Sequence, residues 1–378
     1  MEPAEASARL LAVDGRGACT DAERRAAAWL EDDLYERGHD PWVEPYWVRP
    51  HWAVAVALGS LLAGGASLLA LTLPLAAAIV AAVAAVGLAI EALGYEGPLR
   101  LVMPRRATQD VVVRPEADPD RVELLICARY DAPRRGLVLN GGWRRLAVPL
   151  RNVRAWLAGA AAVVTGCAIA RWQGVDAGWL GAIQLLPTVA LIAALAASLD
   201  IGLSAFSPGA DSASAAAVAL AVHDELTREA PAELAPGLLL RGAGGSSART
   251  LRAHLRETRP DRRRTVILEL GPCAGGSPRW AAGHRQLKAA AQRAAAALEL
   301  ETGRPRPHRV RGARRLPSIR IACLDHRGLA PRAHQGDDDT VDPAALAAAL
   351  DLALGIADAL DADIAARAAA AAAAAAAA

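Results

Sequence analysis

Four short stretches carry the residues whose types and spacing suit chemistry. "VELLICARYDAPRRG", Val122 to Gly136, reads as a buried strand ending at Tyr130-Asp131, and "SPGADSASAAAVALAVHDEL" sets Asp211 in a glycine-containing turn that opens a small-residue helix. "VILEL" places Glu269 at a strand end before Gly271-Pro272, and "PRAHQGDDDTVDP" holds His334 ahead of the last helix. Polar residues that follow apolar strands are the informative ones, because loops converge at one edge of an α/β sheet, and the strand end at Tyr130-Asp131 is of the kind on which a metal-ligand set is often built. Arg129, directly before Tyr130, breaks that set, since a guanidinium stays protonated and repels a cation. Taken singly, each position also has a plain structural explanation: Asp131 and Asp211 as caps or turn residues, Glu269 as a strand-end charge, His334 as a loop histidine.

The elements that must position these residues follow from periodicity. Strands are expected at Asp110 to Arg114, Arg121 to Arg129, Gly237 to Gly242, Arg264 to Gly271 and Ser318 to Leu324. Helices are expected from Thr20, with Glu23 at capping-box spacing, to Gly38, and over 212–228, 246–257, 280–299 and 343–360, the last with Asp342 as N-cap and Pro343 in its first turn. Such alternation predicts a three-layer α/β/α domain with a mostly parallel sheet.

Two apolar runs interrupt this pattern. Residues 52–93 carry no charge before Glu91 and are about twice the roughly 20 residues that span a bilayer, with Pro74 dividing them into two helices. Residues 155–199 form a second pair around "WQGVD". Trp47 and Trp52 bracket the first entry, and Trp156, Trp172 and Trp179 mark the ends of the second pair, as interfacial aromatics do. Arg49, Arg100, Arg105, Arg106, Arg144, Arg145, Arg151 and Arg154 lie outside the hairpins, whereas the far turn carries only Arg171 and Asp176. The positive-inside rule then predicts a multi-pass protein of the cell membrane whose polar portions face the cytoplasm. Residues 1–50, 94–150 and 204–366 would build one domain, with transmembrane hairpins at 52–93 and 155–199 and an alanine-rich tail at 367–378, expected to be frayed or disordered.

Composition agrees with a membrane partner. Apolar residues make up 53% of the chain, and the mean hydropathy of +0.20 is high for a soluble protein. A net charge of +2 gives no basis for nucleic-acid binding. The five cysteines lack C-x-x-C spacing and read as small buried hydrophobes. A transport path is disfavoured because the spans hold almost no ionisable groups, Gln184 and Thr165 being their main polar residues.

In this order the stretches resemble the M28 zinc aminopeptidase family. The likeness runs from "GRGACTDAERRAAAWLEDDLYERGHDPWVEP" and "RATQDVVVRP" through "ICARYDAP", "PGADSASAAAVAL", "LLLRGAGGSSARTL" and "TVILELGP" to "AHQGDDDTVD". The resemblance implies an α/β/α fold and a cocatalytic pair of zinc ions. Carried over residue by residue, the first histidine ligand falls on Arg129, its orienting aspartate on Asp131 and the bridging aspartate on Asp211, followed by Ser212. The consecutive glutamates, one a general base, fall on Gly244 and Gly245. A later acidic ligand falls on Glu269 and the closing histidine on His334, with one extra residue before Asp339-Thr340.

Asp211, Glu269 and His334 would hold one ion at most, and glycine supplies neither base nor ligand. Arg129 is expected to pair with Asp211 or Glu269 in the vacated metal position. The resulting expectation is a degenerate member that binds a peptide or protein partner without hydrolysis and without a cofactor. The alternative is an active membrane-bound zinc aminopeptidase, with Asp337, Asp338 or His326 standing in for the missing groups.

Overall fold

The computed structural model describes residues 2–116, 118, 120–139, 153–175, 177–300, 310, 312, 313 and 316–376. Arg144, Arg145, Arg151 and Asp176, used above for orientation, and the end of the 94–150 segment lie outside the described residues.

Seven strands form one sheet: β1 (Pro41–Val48), β2 (Arg106–Val113), β3 (Val122–Arg129), β4 (Leu234–Arg241), β5 (Thr265–Leu270), β6 (Ser277–Ala282) and β7 (Ser318–Leu324). Their order is β1-β2-β4-β3-β5-β7-β6. The four central strands β4, β3, β5 and β7 are parallel. The flanking pairings are antiparallel, so the sheet is mixed, with a parallel centre. β3 reads as an unbroken apolar run because both its faces are covered. Leu124, Ile126 and Ala128 face the larger core cluster, while Leu125 and Cys127 face the smaller one.

Ten α-helices accompany the sheet among the described residues: α1 (Pro3–Leu11), α2 (Asp21–Glu36), α3 (Trp52–Leu69), α4 (Pro74–Ala92), α5 (Val153–Trp172), α6 (Gly178–Leu203), α7 (Ala210–Arg228), α8 (Arg249–Glu257), α9 (Arg285–Ala297) and α10 (Pro343–Ala376). Helices α1, α2, α7, α9 and α10 supply the larger core, and α8 covers the other face. Thr20 caps α2 by accepting the Glu23 N–H at 3.1 Å, as its spacing predicts. Asp342 likewise accepts the Ala344 N–H at the start of α10.

Three expectations need correction. Residues 277–282, placed at the edge of a helix, are the edge strand β6, whose Pro278 is tolerated there because an edge strand leaves one row of N–H groups without ladder partners. The helix begins only at Arg285. The alanine tail is not frayed: α10 runs on through Ala376, as expected of the residue with the highest helix propensity.

Five helices, α3, α4, α5, α6 and α10, are long and apolar enough to cross a membrane. In α10 the residues from Ala345 to Leu360 are packed into the α/β core, and its length beyond them is the exposed alanine tail. The other four make a bundle in which α4 packs on α5, α3 on α6, and each hairpin on itself. Its interior is made of small residues, among them Ala55, Ala63, Ala77, Ala81 and Ala84. Leu99, just beyond the first hairpin, wedges between α3 and α4, where a Cβ on Gly87 would come within 2.6 Å of it.

Candidate functional site

The parallel strands end together at Arg129 of β3 and Arg241 of β4, which are register partners. Beyond β4 the chain turns through Gly242-Ala243-Gly244-Gly245, and beyond β3 through Asp131. Asp131 is 1% exposed and its two carboxylate oxygens accept the Gly245 N–H at 3.2 and 3.3 Å. Burial raises its pKa, opposed chiefly by the charge of Arg129.

The Arg129 side chain runs across both glycines. A Cβ on Gly244 would lie 2.9 Å from the Arg129 Cβ, and one on Gly245 would lie 2.6 Å from its Nη1. The Cβ position of 245 thus meets the guanidinium end of the arginine, and that of 244 meets its Cβ.

Asp211, in the first turn of α7, is 1% exposed. Its neighbour is Asp338, also 1% exposed, whose pKa is pushed up to about 8 by burial and then by the Asp211 charge. The Asp211 N–H bonds the Asp338 carboxylate, and the Asp338 carbonyl accepts the Ala210 N–H at 3.0 Å. Of the alternatives raised by sequence, Asp338 thus turns inward, while Asp337, Asp339, Thr340 and His326 are exposed.

Glu269 sits between arginines, 3.2 Å from Arg241 and 3.8 Å from Arg320. The charge of Arg129 acts on Asp131 and Asp338. His334, at positive φ, lies on the cleft wall with Nδ1 3.2 Å from the Arg134 carbonyl. The donor atoms of Asp211, Glu269 and His334 are not gathered within 4.8 Å of one another. Such a set does not fit a two-ion centre, which needs a bridging ligand with further ligands on each side.

The one such gathered group among the described residues is His39, His223 and Asp224, near the end of α7 remote from Asp211. There His39 Nε2 meets Asp224 at 2.9 Å and Arg37 pairs with the same carboxylate, so a cation already holds it.

Two buried groups brace the strand ends and escaped the sequence reading. Arg16, fully buried, donates to the carbonyls of Tyr130 at 2.8 Å, Gly209 at 3.0 Å, and Leu10. Burial lowers its pKa to about 10, which leaves it charged beside Asp131 and Asp338. Gly209 is required beside it, at φ +81°, since a Cβ would meet Ala132 at 2.8 Å. Glu23 reaches past its capping role to accept the N–H groups of Cys19 and Ala243 and the Thr108 hydroxyl, and burial raises its pKa to about 8. The S/T-x-x-E spacing signalled the cap, but nothing in it signals the bond to Ala243, 220 residues away.

The cleft above Arg129 has a volume of about 110 Å³, and its walls include the first turn of α3 and the end of α6. A larger cavity of about 540 Å³ lies by Tyr95, Arg252 and His284 and contains none of these groups. The exit of the first hairpin is tied to the glycine loop. Glu91 (0% exposed) and Arg100 (3% exposed) form a two-pronged ion pair, with both N···O distances 2.7 Å, and Arg100 also donates to the Ser246 carbonyl at 3.1 Å.

No family model and no curated protein matches the sequence. Solved structures do resemble the fold. A Zn-dependent exopeptidase from Parabacteroides distasonis superposes with a TM-score of 0.53 at 12% identity, covering 94% of this chain and 96% of the other. A glutaminyl cyclase from Bacteroides thetaiotaomicron gives 0.53 at 10% identity, with 94% and 95% covered. A zinc aminopeptidase from Bacillus subtilis gives 0.52 at 10% identity, with 94% of each chain covered. Mixed sheet, helical layers and strand-end cleft together are the M28-like α/β fold of zinc-dependent exopeptidases and glutaminyl cyclases.

Proposed function

We propose that the chain is a multi-pass membrane protein whose M28-like domain has lost hydrolytic chemistry and acts by binding a ligand or partner. The observation that carries this reading is the Arg129 side chain lying across Gly244 and Gly245. It puts a fixed positive charge where the resemblance implies a histidine ligand, and the end of that side chain lies where a side chain at 245 would begin. Zinc-dependent peptidase chemistry also needs a base within hydrogen-bond reach, and Gly244-Gly245 offers none. The fold itself does not decide the matter, because its neighbours include cyclases as well as peptidases.

Membrane insertion is supported by the bundle. Leu61, Leu68, Ile79, Val83, Leu186 and Ile192 stand exposed on its outside, a surface suited to lipid. Arg49, Arg100 and Arg106 lie at its domain end and Arg171 at the far end, which favours a cytoplasmic domain in the cell membrane.

A second reading, an active membrane-bound zinc aminopeptidase, draws on the adjacency of Asp211 and Asp338, two buried carboxylates able to share a cation. Elemental analysis of the detergent-purified full chain after zinc loading separates the two. The binding reading expects no zinc retained in the cleft and no release of p-nitroaniline from aminoacyl-p-nitroanilides. Two zinc ions per chain with hydrolysis, both lost in Asp211→Ala, would establish the second reading instead. Any zinc lost in His223→Ala but kept in Asp211→Ala belongs to the remote histidine group.

A further inference from the structure

The cleft has a composition that the ancestral chemistry would not require. Its lining brings together Arg106 from the start of β2, Arg129 from the end of β3 and Arg134 from the following loop, against one lining carboxylate, Asp131. That carboxylate is buried and turned to the Gly245 N–H. Arg134 is held in place by a 2.6 Å bond to the Ser204 carbonyl and lies 4.5 Å over the Phe206 ring. The net charge of the lining is positive, and the pKa of His51 at its mouth is lowered by burial and by Arg106, Arg134 and Arg100. An ammonium group, such as a peptide amino terminus, would be repelled, and an anion would be drawn in.

The mouth lies where the hairpins leave the domain. Trp52 and Val54 of the first turn of α3 face Gly202 near the end of α6, where a Cβ would come within 3.2 Å of Val54. The lining therefore combines three arginines, Arg106 exposed and Arg129 and Arg134 half-buried, with the apolar side chains of Trp52, Ala53 and Val54 at the start of α3, and further along α3 and α6 apolar residues such as Leu61 and Leu199 stand exposed. At about 110 Å³ the cleft is well below the roughly 300–1,000 Å³ of pockets that enclose a whole ligand. It is sized for a head group whose remaining bulk lies outside.

We infer that the cleft binds the anionic head group of a membrane lipid, with its phosphate among Arg106, Arg129 and Arg134 and its acyl chains leaving past Trp52 and Val54 along α3 and α6. The inference rests on the non-hydrolytic reading and names its ligand class. The charge pattern favours a phosphate, and the apolar side chains at the start of α3 favour a lipid as its source over a free phosphate.

Native mass spectrometry of the full-length, detergent-purified chain tests it, with dioleoylphosphatidylglycerol and dioleoylphosphatidylcholine as probes. One phosphatidylglycerol per chain should be retained with a preference of roughly tenfold, since each basic group near a membrane surface attracts anionic lipid. Arg106→Gln, at an exposed side chain, should reduce that preference, and Arg106→Gln with Arg134→Gln should bring it to parity. Millimolar inorganic phosphate should not displace the lipid. Equal retention of the two lipids, an Arg106→Gln protein that behaves as wild type, or displacement by phosphate or by an acidic peptide would each overturn the inference. Zinc content and hydrolysis, measured on the same preparation, report separately on the non-hydrolytic reading.

Discussion

The α/β core and the helical bundle use the same apolar residues in opposite places. In the core, Leu124, Ile126, Leu238 and Leu240 are sealed inside. In the bundle, alanine makes up much of the interior, beside Leu88, Leu157, Val164 and Leu191, while many other leucine, isoleucine and valine side chains face out. The first arrangement is what water drives, since burying a large aliphatic side chain contributes about 1.5–3 kcal/mol. The second gains nothing from water. It gains close backbone approach and a polar tie across the bundle: Gln184 receives Arg171 and donates to Ser67, whose hydroxyl meets Thr188 at 2.6 Å. Gln184, set aside in the sequence as insufficient for transport, is a tie between the hairpins. On the proposed membrane placement, each region is fitted to its own solvent, and the joint between them carries the mismatch.

That joint is the most sensitive place to break the comparison. Glu91→Ala would leave Arg100 buried without its ion-pair partner, and removing one member of a buried pair costs about 3–5 kcal/mol. Thermal melting in detergent should show a large fall, and Glu91→Gln, which keeps a hydrogen-bond acceptor, should fall less. Next in size is the outer face of the bundle. Ile79, 59% exposed, should tolerate alanine within about 0.5 kcal/mol. Ile79→Asp should cost about 2.5–3.5 kcal/mol of insertion if lipid surrounds it. A full-length Ile79→Asp protein that reaches the membrane fraction and melts like wild type would mean that this surface faces water or protein.

The last effect, smallest per pH unit, sharpens the comparison on the core side. Asp338 and Glu23 have folded-state pKa values raised to about 8, far above ordinary carboxylates. Between their unfolded values near 4 and about 8 the folded state holds protons that the unfolded state has lost. Stability should therefore fall as pH rises through this window, by about 1.4 kcal/mol per pH unit for each proton. His223, lowered to about 4 by burial, pulls the other way below pH 6.5, so the range from 6.5 to 8 isolates the carboxylates. Denaturant melts should show Asp338→Asn flattening that slope, while an unchanged slope would mean that Asp338 ionises normally.

Much of the fold was legible because burial leaves a period in sequence. The run Leu124–Ala128 could only be a strand covered on both faces, and Thr20 with Glu23 could be read as a cap from spacing alone. The missed strand β6 carries Pro, Arg and Trp without a run of apolar residues, because an edge strand has fewer neighbours to satisfy. At the site, the exchanges at Arg129, Gly244 and Gly245 were visible as residue types.

The sequence by itself determined the central strands, the capped helices that accompany them and the two long apolar stretches, since these are written as composition and local period. Only the tertiary structure decided that Arg129 lies across Gly244 and Gly245, that Asp338 and not Asp337 meets Asp211, that Glu23 holds Ala243, and that the hairpin ends wall the cleft. These contacts join non-repetitive loops far apart in the chain. Such loops have no period, so the direction of each side chain is set only by the partners that folding brings to it.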